Sequence, residues 1–200
     1  MNIGLSSGTL VHVNAFTTIA PFDVREAWGQ SEPLFVDADA LPLEVSLLTR
    51  IAELPPGGLL PIDFAQIRIA SEAARQLIRR AIIRLSSGEL QDRYIVLINL
   101  ESNRYNLEAM LRTEGLVAVE RTKGGPHLIG RVERAAEETF SYAASKRAVT
   151  ASMVQERFGL QGIAAANNRL TSLWKLALLR RADARSLPGG GREFLFAAVK

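Results

Sequence analysis

A mixed α/β chain that ends in a small helical unit with a hairpin is the architecture this sequence predicts, on three observations. The run Tyr94-Ile95-Val96-Leu97-Ile98-Asn99-Leu100 is nearly all apolar and rich in β-branched residues, the composition of a strand covered on both faces. Helix-like and strand-like segments alternate around it, the rhythm of a sheet with helices packed on it. After Thr150 the pattern changes to helix, tight turn, helix and glycine-tipped hairpin.

The first half reads in order as follows. Met1–Glu32 carries scattered short apolar runs, which either complete the first domain or form an arm to a second subunit. Leu34–Asp37 is expected as a strand. Leu43, Val45, Leu47, Leu48, Ile51 and Leu54 give helical spacing over Pro42–Leu54, stopped by Pro55-Pro56-Gly57-Gly58. Leu59–Phe64 reads as a buried strand with an acidic end at Asp63. Ser71 is the expected N-cap of a long helix with Ala74, Leu77, Ile78, Ala81, Ile82 and Leu85 on its apolar stripe. The β-branched run is then the central strand. Asn106–Thr113 suits a short helix bounded by Glu114-Gly115, and Leu116–Glu120 the strand after it. Gly124-Gly125-Pro126 reads as a linker or hairpin turn, since it lacks the spacing and the following Lys-Ser or Lys-Thr of a phosphate-binding loop. Gly130–Lys146 is expected as a helix that begins the C-terminal unit, bridges the two parts or pairs with its twin in a dimer; the pattern does not choose.

In the last fifty residues the local signals are strongest. Thr150 can cap a helix over Ala151–Phe158 with its hydroxyl. Gly159 can end that helix in the left-handed conformation, with Leu160 folding back as the accompanying apolar contact. Ile163, Ala166, Leu170, Leu173 and Leu176 or Ala177 then recur at three- and four-residue steps and define one buried face of a second helix. Its other side carries Gln161, Asn168, Thr171, Ser172 and Lys175, flanked by Asn167 and Arg169. Leu178–Ala184 and Glu193–Val199 read as two strands joined through Pro188-Gly189-Gly190-Gly191.

Two resemblances follow. The segment Leu173-Trp174-Lys175-Leu176-Ala177-Leu178-Leu179-Arg180-Arg181 resembles the Leu-x-x-Leu-Gly-Leu-Leu-x-Arg pattern of bacterial winged-helix regulators, with Ala177 in place of the usual glycine. This covers about a quarter of the chain and implies a winged helix-turn-helix over 130–200. Across Pro33–Arg121, the run Ile62-Asp63-Phe64-Ala65-Gln66-Ile67-Arg68-Ile69-Ala70-Ser71, the helix after it and the buried strand ending at Asn99 resemble the STAS-like domains related to anti-sigma-factor antagonists. That resemblance implies a STAS-like regulatory domain over 1–125, with a four- or five-stranded sheet, helices on one main side, no catalysis and a protein-partnering role. It also implies regulatory phosphorylation near the start of the long helix, where Ser71 lies. Here Ile69-Ala70-Ser71-Glu72-Ala73 replaces the Asp-Ser-Ser-Gly-like signature, and helix capping is the expected role of Ser71.

Charge separates the halves. Residues 1–129 hold twelve Lys plus Arg against fifteen Asp plus Glu, a balance of −3, whereas residues 130–200 hold twelve against six, a balance of +6. A basic small domain joined to an acidic larger one fits a regulator with separate DNA-binding and sensing parts. The chain has no cysteine, so disulfides and Cys-ligated metals are excluded. Its two histidines, His12 and His127, have no metal-binding spacing. No cofactor, metal or catalytic residue is expected; Asp63 and the Lys123 loop are the only candidates for an enzymatic role. Without a signal peptide or an apolar run long enough for a span, a cytoplasmic protein away from the membrane is expected.

The expected function is transcriptional regulation by binding double-stranded DNA, as a homodimer on two half-sites. Gln161, Asn167, Asn168, Thr171 and Lys175 would face the major groove, Arg169 would touch its edge, and Arg185 and Arg192 would flank the wing near phosphate. Asn and Gln suit adenine through bidentate contacts, so an A·T-containing half-site is expected. The competing expectation is a non-DNA adaptor that binds a kinase-like or other regulatory protein.

Overall fold

The computed structural model describes residues 16–29, 37–186 and 192–200, with the backbone alone at 37–39, 183–186 and 192. Of the strand expected at Leu34–Asp37, residues 34–36 lie outside the described residues, as do the Pro188–Gly191 tip and His12, and Asp37 is helical.

Two short strands, β1 (Thr17–Thr18) and β2 (Phe22–Asp23), lead into helix α1 (Val24–Trp28), capped by the Asp23 carboxylate accepting the Glu26 N–H at 2.9 Å. Helix α2 (Asp37–Ala52) begins five residues earlier than expected and carries Pro42 inside it. Then follow β3 (Gly58–Asp63), α3 (Ser71–Ser86), β4 (Arg93–Ile98), a 3-10 turn at Glu101–Asn103, α4 (Arg104–Thr113), β5 (Val117–Thr122) and β6 (Gly125–Gly130).

These six strands form one mostly parallel sheet. Its order is β1/β2, β3, β4, β5, β6, with β6 alone antiparallel. Thr17 pairs with Gly58 and Phe22 with Ile62, so the edge segment spends five steps where β3 spends four and is broken by one extra residue. The β-branched run is central, as expected.

Strand order follows chain order, and right-handed crossovers added in one direction put every connecting helix on the same face. Accordingly α2, α3 and α4 bury Leu47, Ile51, Leu77, Ile78, Leu107 and Leu111 against Leu60, Ile62, Ile95, Leu97, Ala118 and Ile129 of the sheet. That leaves the opposite face of a sheet that is apolar on both sides. Leu59, Tyr94, Val96, Val117, Val119 and Leu128 point there, alternating with the first set.

The rest of the chain covers this second face. Helices α5 (Arg134–Ala144), α6 (Ala151–Phe158) and α7 (Ile163–Lys175) precede an antiparallel hairpin, β7 (Leu179–Ser186) and β8 (Arg192–Ala198). Phe140, Val154, Leu170, Leu173, Leu179 and Phe196 share one apolar cluster with Tyr94, Val96 and Val119. The C-terminal unit and the sheet are therefore built around a common core. At its margin the Arg180 guanidinium lies 5.8 Å from the Phe16 ring and against Gly57, where a Cβ would stand 2.8 Å from it. Among the described residues no helix is long and apolar enough to cross a membrane.

Two details of the sequence reading change. Ala70 occupies the N-cap of α3 in extended conformation and Ser71 is the first helical residue, without a side-chain capping bond. Of the two readings of Gly124-Gly125-Pro126 the hairpin turn holds, since Lys123 and Gly124 join β5 to β6. Strand β6 itself was not expected; it is paired with β5 from Val117↔Gly130 to Thr122↔Gly125 and takes Gly130 out of the expected helix, so that α5 begins only at Arg134.

Candidate nucleic-acid interface

Helix α6 starts as its sequence dictates. The Thr150 hydroxyl accepts the Met153 N–H at 3.3 Å, and the Glu193 carboxylate, reaching from β8, accepts that of Ser152 at 3.0 Å. Two of the four orphan donors of the helix are thereby satisfied. Val149, just before, exchanges both backbone bonds with Phe196, at 2.8 and 2.9 Å, so the hairpin is tied to the start of α6. At the other end Gly159 takes φ +58°, while the Leu160 N–H returns to the Gln155 carbonyl at 3.0 Å. Leu160 packs partly into the core, as the turn motif requires.

Helix α7 buries Ala166, Leu170 and Leu173. Ile163, expected on that face, is 44% exposed, and of the two alternatives at its far end Leu176 is 41% exposed while Ala177 packs against the core. Ile163 belongs to the first turn, before the stripe meets the core, and Leu176 has rotated off the stripe at the helix end. Ala177 adopts φ +56°. The position thus has the left-handed backbone that glycine accepts without strain.

Of the polar residues singled out in the sequence, Asn167, Asn168 and Lys175 are exposed on α7 and Thr171 is half-buried, while Gln161, expected on the same helix, is exposed in the turn before its Gly162 N-cap. Ala164 and Ala165 lie exposed beside them and keep the surface low. Arg169 turns back along the protein: its guanidinium lies 5.4 Å from the Phe158 ring centre, and Nη1 is enclosed without a hydrogen-bond partner. Lys175 and Trp174 border a crevice shared with Ser86–Tyr94 of the sheet unit. Arg185 and Arg192 stand on the two strands at the tip end of the described hairpin, in the adjacent pairs Arg185↔Glu193 and Ser186↔Arg192; their side chains lie outside the described residues.

A group not anticipated from sequence stands beside α7. The Arg181 guanidinium is held between Trp174 and Phe194, 4.0 and 4.6 Å from the ring centres. Such cation–π packing fixes the charge and joins helix to hairpin. No local pattern signalled it, since Arg181 follows Arg180 on the strand and its two rings come from α7 and β8.

A second polar cluster lies across the sheet. Asp63 Oδ1 accepts the Ala65 N–H and an Asn99 Nδ2–H, both at 2.8 Å, a hydrogen-bonded strand-end carboxylate. Buried Glu120 lies 2.7 Å from His127 Nε2 and 3.4 Å from Arg104 Nε, tying the start of α4 to the β5–β6 hairpin. Lys123 lies in the exposed turn of that hairpin, where the Thr122 hydroxyl donates to the Gly125 carbonyl at 3.1 Å. Comparison with protein-family models, with curated proteins and with solved structures finds no match.

Proposed function

We propose that this protein is a DNA-binding transcriptional regulator in which residues 130–200 act as a winged helix-turn-helix and the STAS-like sheet unit receives a protein or ligand signal. The observation that carries the reading is the outward side of α7. Asn167, Asn168 and Lys175 are exposed there, backed by Ala166, Leu170 and Leu173 in the core, on the half of the chain with the basic excess. A helix so backed presents amide and ammonium groups suited to base edges and phosphates, and the hairpin beside it provides a wing. A homodimer on paired half-sites would raise specificity, since one such helix reads few base pairs.

The test is selection from a random duplex pool by the full-length protein at near-physiological salt, followed by sequencing of the survivors. The full chain is required because the core of the C-terminal unit includes Tyr94, Val96 and Val119. Enrichment of a motif supports the regulator, and a palindromic motif supports the dimer. Weak, salt-labile retention without enrichment counts against both.

One observation favours the adaptor reading. Leu41 and Val45, one turn apart on α2, are 46% and 55% exposed on the sheet's other helical layer, the kind of apolar surface on which a regulatory protein docks. Co-purification of a stoichiometric protein partner, lost on Val45→Asp, would support that role.

A further inference from the structure

Between the loop that joins α3 to β4 and the end of α7 runs a crevice of about 320 Å³. Leu85, Leu90 and Trp174 supply its apolar lining, and Ser87, Asp92 and Lys175 its polar groups. This volume is at the small end of the roughly 300–1,000 Å³ range of small-molecule sites. Of its three ionic residues, Arg93 donates to the Leu54 and Gln91 carbonyls, whereas the other two have opposite signs and come from opposite walls: the Asp92 carboxylate from the sheet unit, the Lys175 ammonium from α7.

The backbone adds an independent observation. Asp92 and Ala177 both line the crevice, and both adopt left-handed conformations, at φ +57° and +56°. Aspartate tolerates this conformation, but alanine seldom adopts it, and such strained positions are found where ligands bind. The Asp92 carbonyl is fixed by the Gly57 N–H at 2.6 Å, which holds the carboxylate wall in place.

We infer that this crevice binds a small zwitterion of amino-acid size that carries an apolar ring. The ring lies against Trp174 and the two leucines, the ammonium group meets Asp92 and the carboxylate meets Lys175. Lys175 also belongs to the proposed DNA-facing side of α7, but the titration below contains no DNA, so its outcome is read separately from that of the duplex selection.

The chain has two tryptophans, so a full-length Trp28→Phe protein reports on Trp174 alone. It is titrated with L-phenylalanine, with phenylacetate, which lacks the ammonium group, and with phenethylamine, which lacks the carboxylate, while Trp174 emission is followed. The expected result is a saturable change with L-phenylalanine and binding at least about tenfold weaker for each half-probe. Lys175→Met should reduce L-phenylalanine to the level of phenethylamine, and Asp92→Asn to that of phenylacetate. Ser87→Phe, at an exposed position on the crevice wall, should fill the space and abolish the response with an unchanged circular-dichroism spectrum. Absence of a saturable response up to about 10 mM L-phenylalanine, equal binding of the three probes, or a response that survives Ser87→Phe would each overturn the inference.

Discussion

Asn103, buried in the turn before α4, donates from Nδ2 to the carbonyl of Ile67 at 2.6 Å across thirty-six residues of sequence. Its Oδ1 accepts the Ile69 N–H at 2.8 Å, so one amide satisfies two backbone groups of the loop that leads into α3. Removing it strands a donor and an acceptor away from water, at about 1–3 kcal/mol each. Asn103→Ala should therefore lower unfolding free energy by about 2–4 kcal/mol, read from urea denaturation. A loss below about 0.5 kcal/mol would mean that water or a shifted loop replaces both bonds.

Ala177 makes the opposite case. Its φ of +56° places a methyl group where the left-handed backbone disfavours one. Glycine removes that strain, against the loss of a partly buried methyl and a larger unfolded-state entropy. Ala177→Gly is expected to stabilise the protein by about 0.5–1 kcal/mol, measured as a rise in the urea midpoint at unchanged m-value. A fall in the midpoint would show that the methyl's packing outweighs the strain.

These two residues also mark what was legible in the sequence. Helix α6 and its turn were readable because Thr150, Gly159 and Leu160 act within a few residues of one another. Ala177 stands where the pattern this segment resembles has glycine, and the backbone there is left-handed. Strand β6 was missed because Gly124, Gly125, Pro126 and Gly130 look like a linker, and its strand character comes from pairing with β5. The start of α3 was misplaced by one residue because Asn103 and Asn106, far along the chain, satisfy the loop before it. In the candidate interface the polar side of α7 followed from its period. The turn of Arg169 toward Phe158 and the position of Lys175 across a crevice from Asp92 depend on contacts between segments that periodicity does not relate.

Tyr94 should make stability sensitive to alkali. Burial, and secondarily the nearby Asp92 carboxylate, push its phenol well above the ordinary tyrosine value, with Arg180 and Arg181 opposing. The folded state therefore retains a proton that the unfolded chain releases above about pH 10. Stability from this group is fully present below that pH and declines as pH rises toward the folded-state value, because the unfolded state then binds fewer protons. Tyr94→Phe keeps the ring and removes the titration. Between pH 9 and 11 the parent should lose stability more steeply than the variant, and parallel profiles would show that Tyr94 does not govern the alkaline limb.

The groove assignment separates two kinds of residue. Asn168 is exposed on the side of α7 opposite its buried stripe, where a side chain can read a base edge. Arg192 begins β8, and on the proposed reading its charge would meet phosphate irrespective of sequence. On the selected duplex, Asn168→Ala should reduce discrimination at one base position by about 1–3 kcal/mol while leaving affinity for random duplex nearly unchanged. Arg192→Ala should weaken selected and random duplexes alike and lower the slope of log affinity against log salt by about 1. Competition binding across a salt series measures both quantities. If both variants bound every duplex as the parent does, α7 would not be the reading helix and the exposed apolar side of α2 would become the surface to pursue.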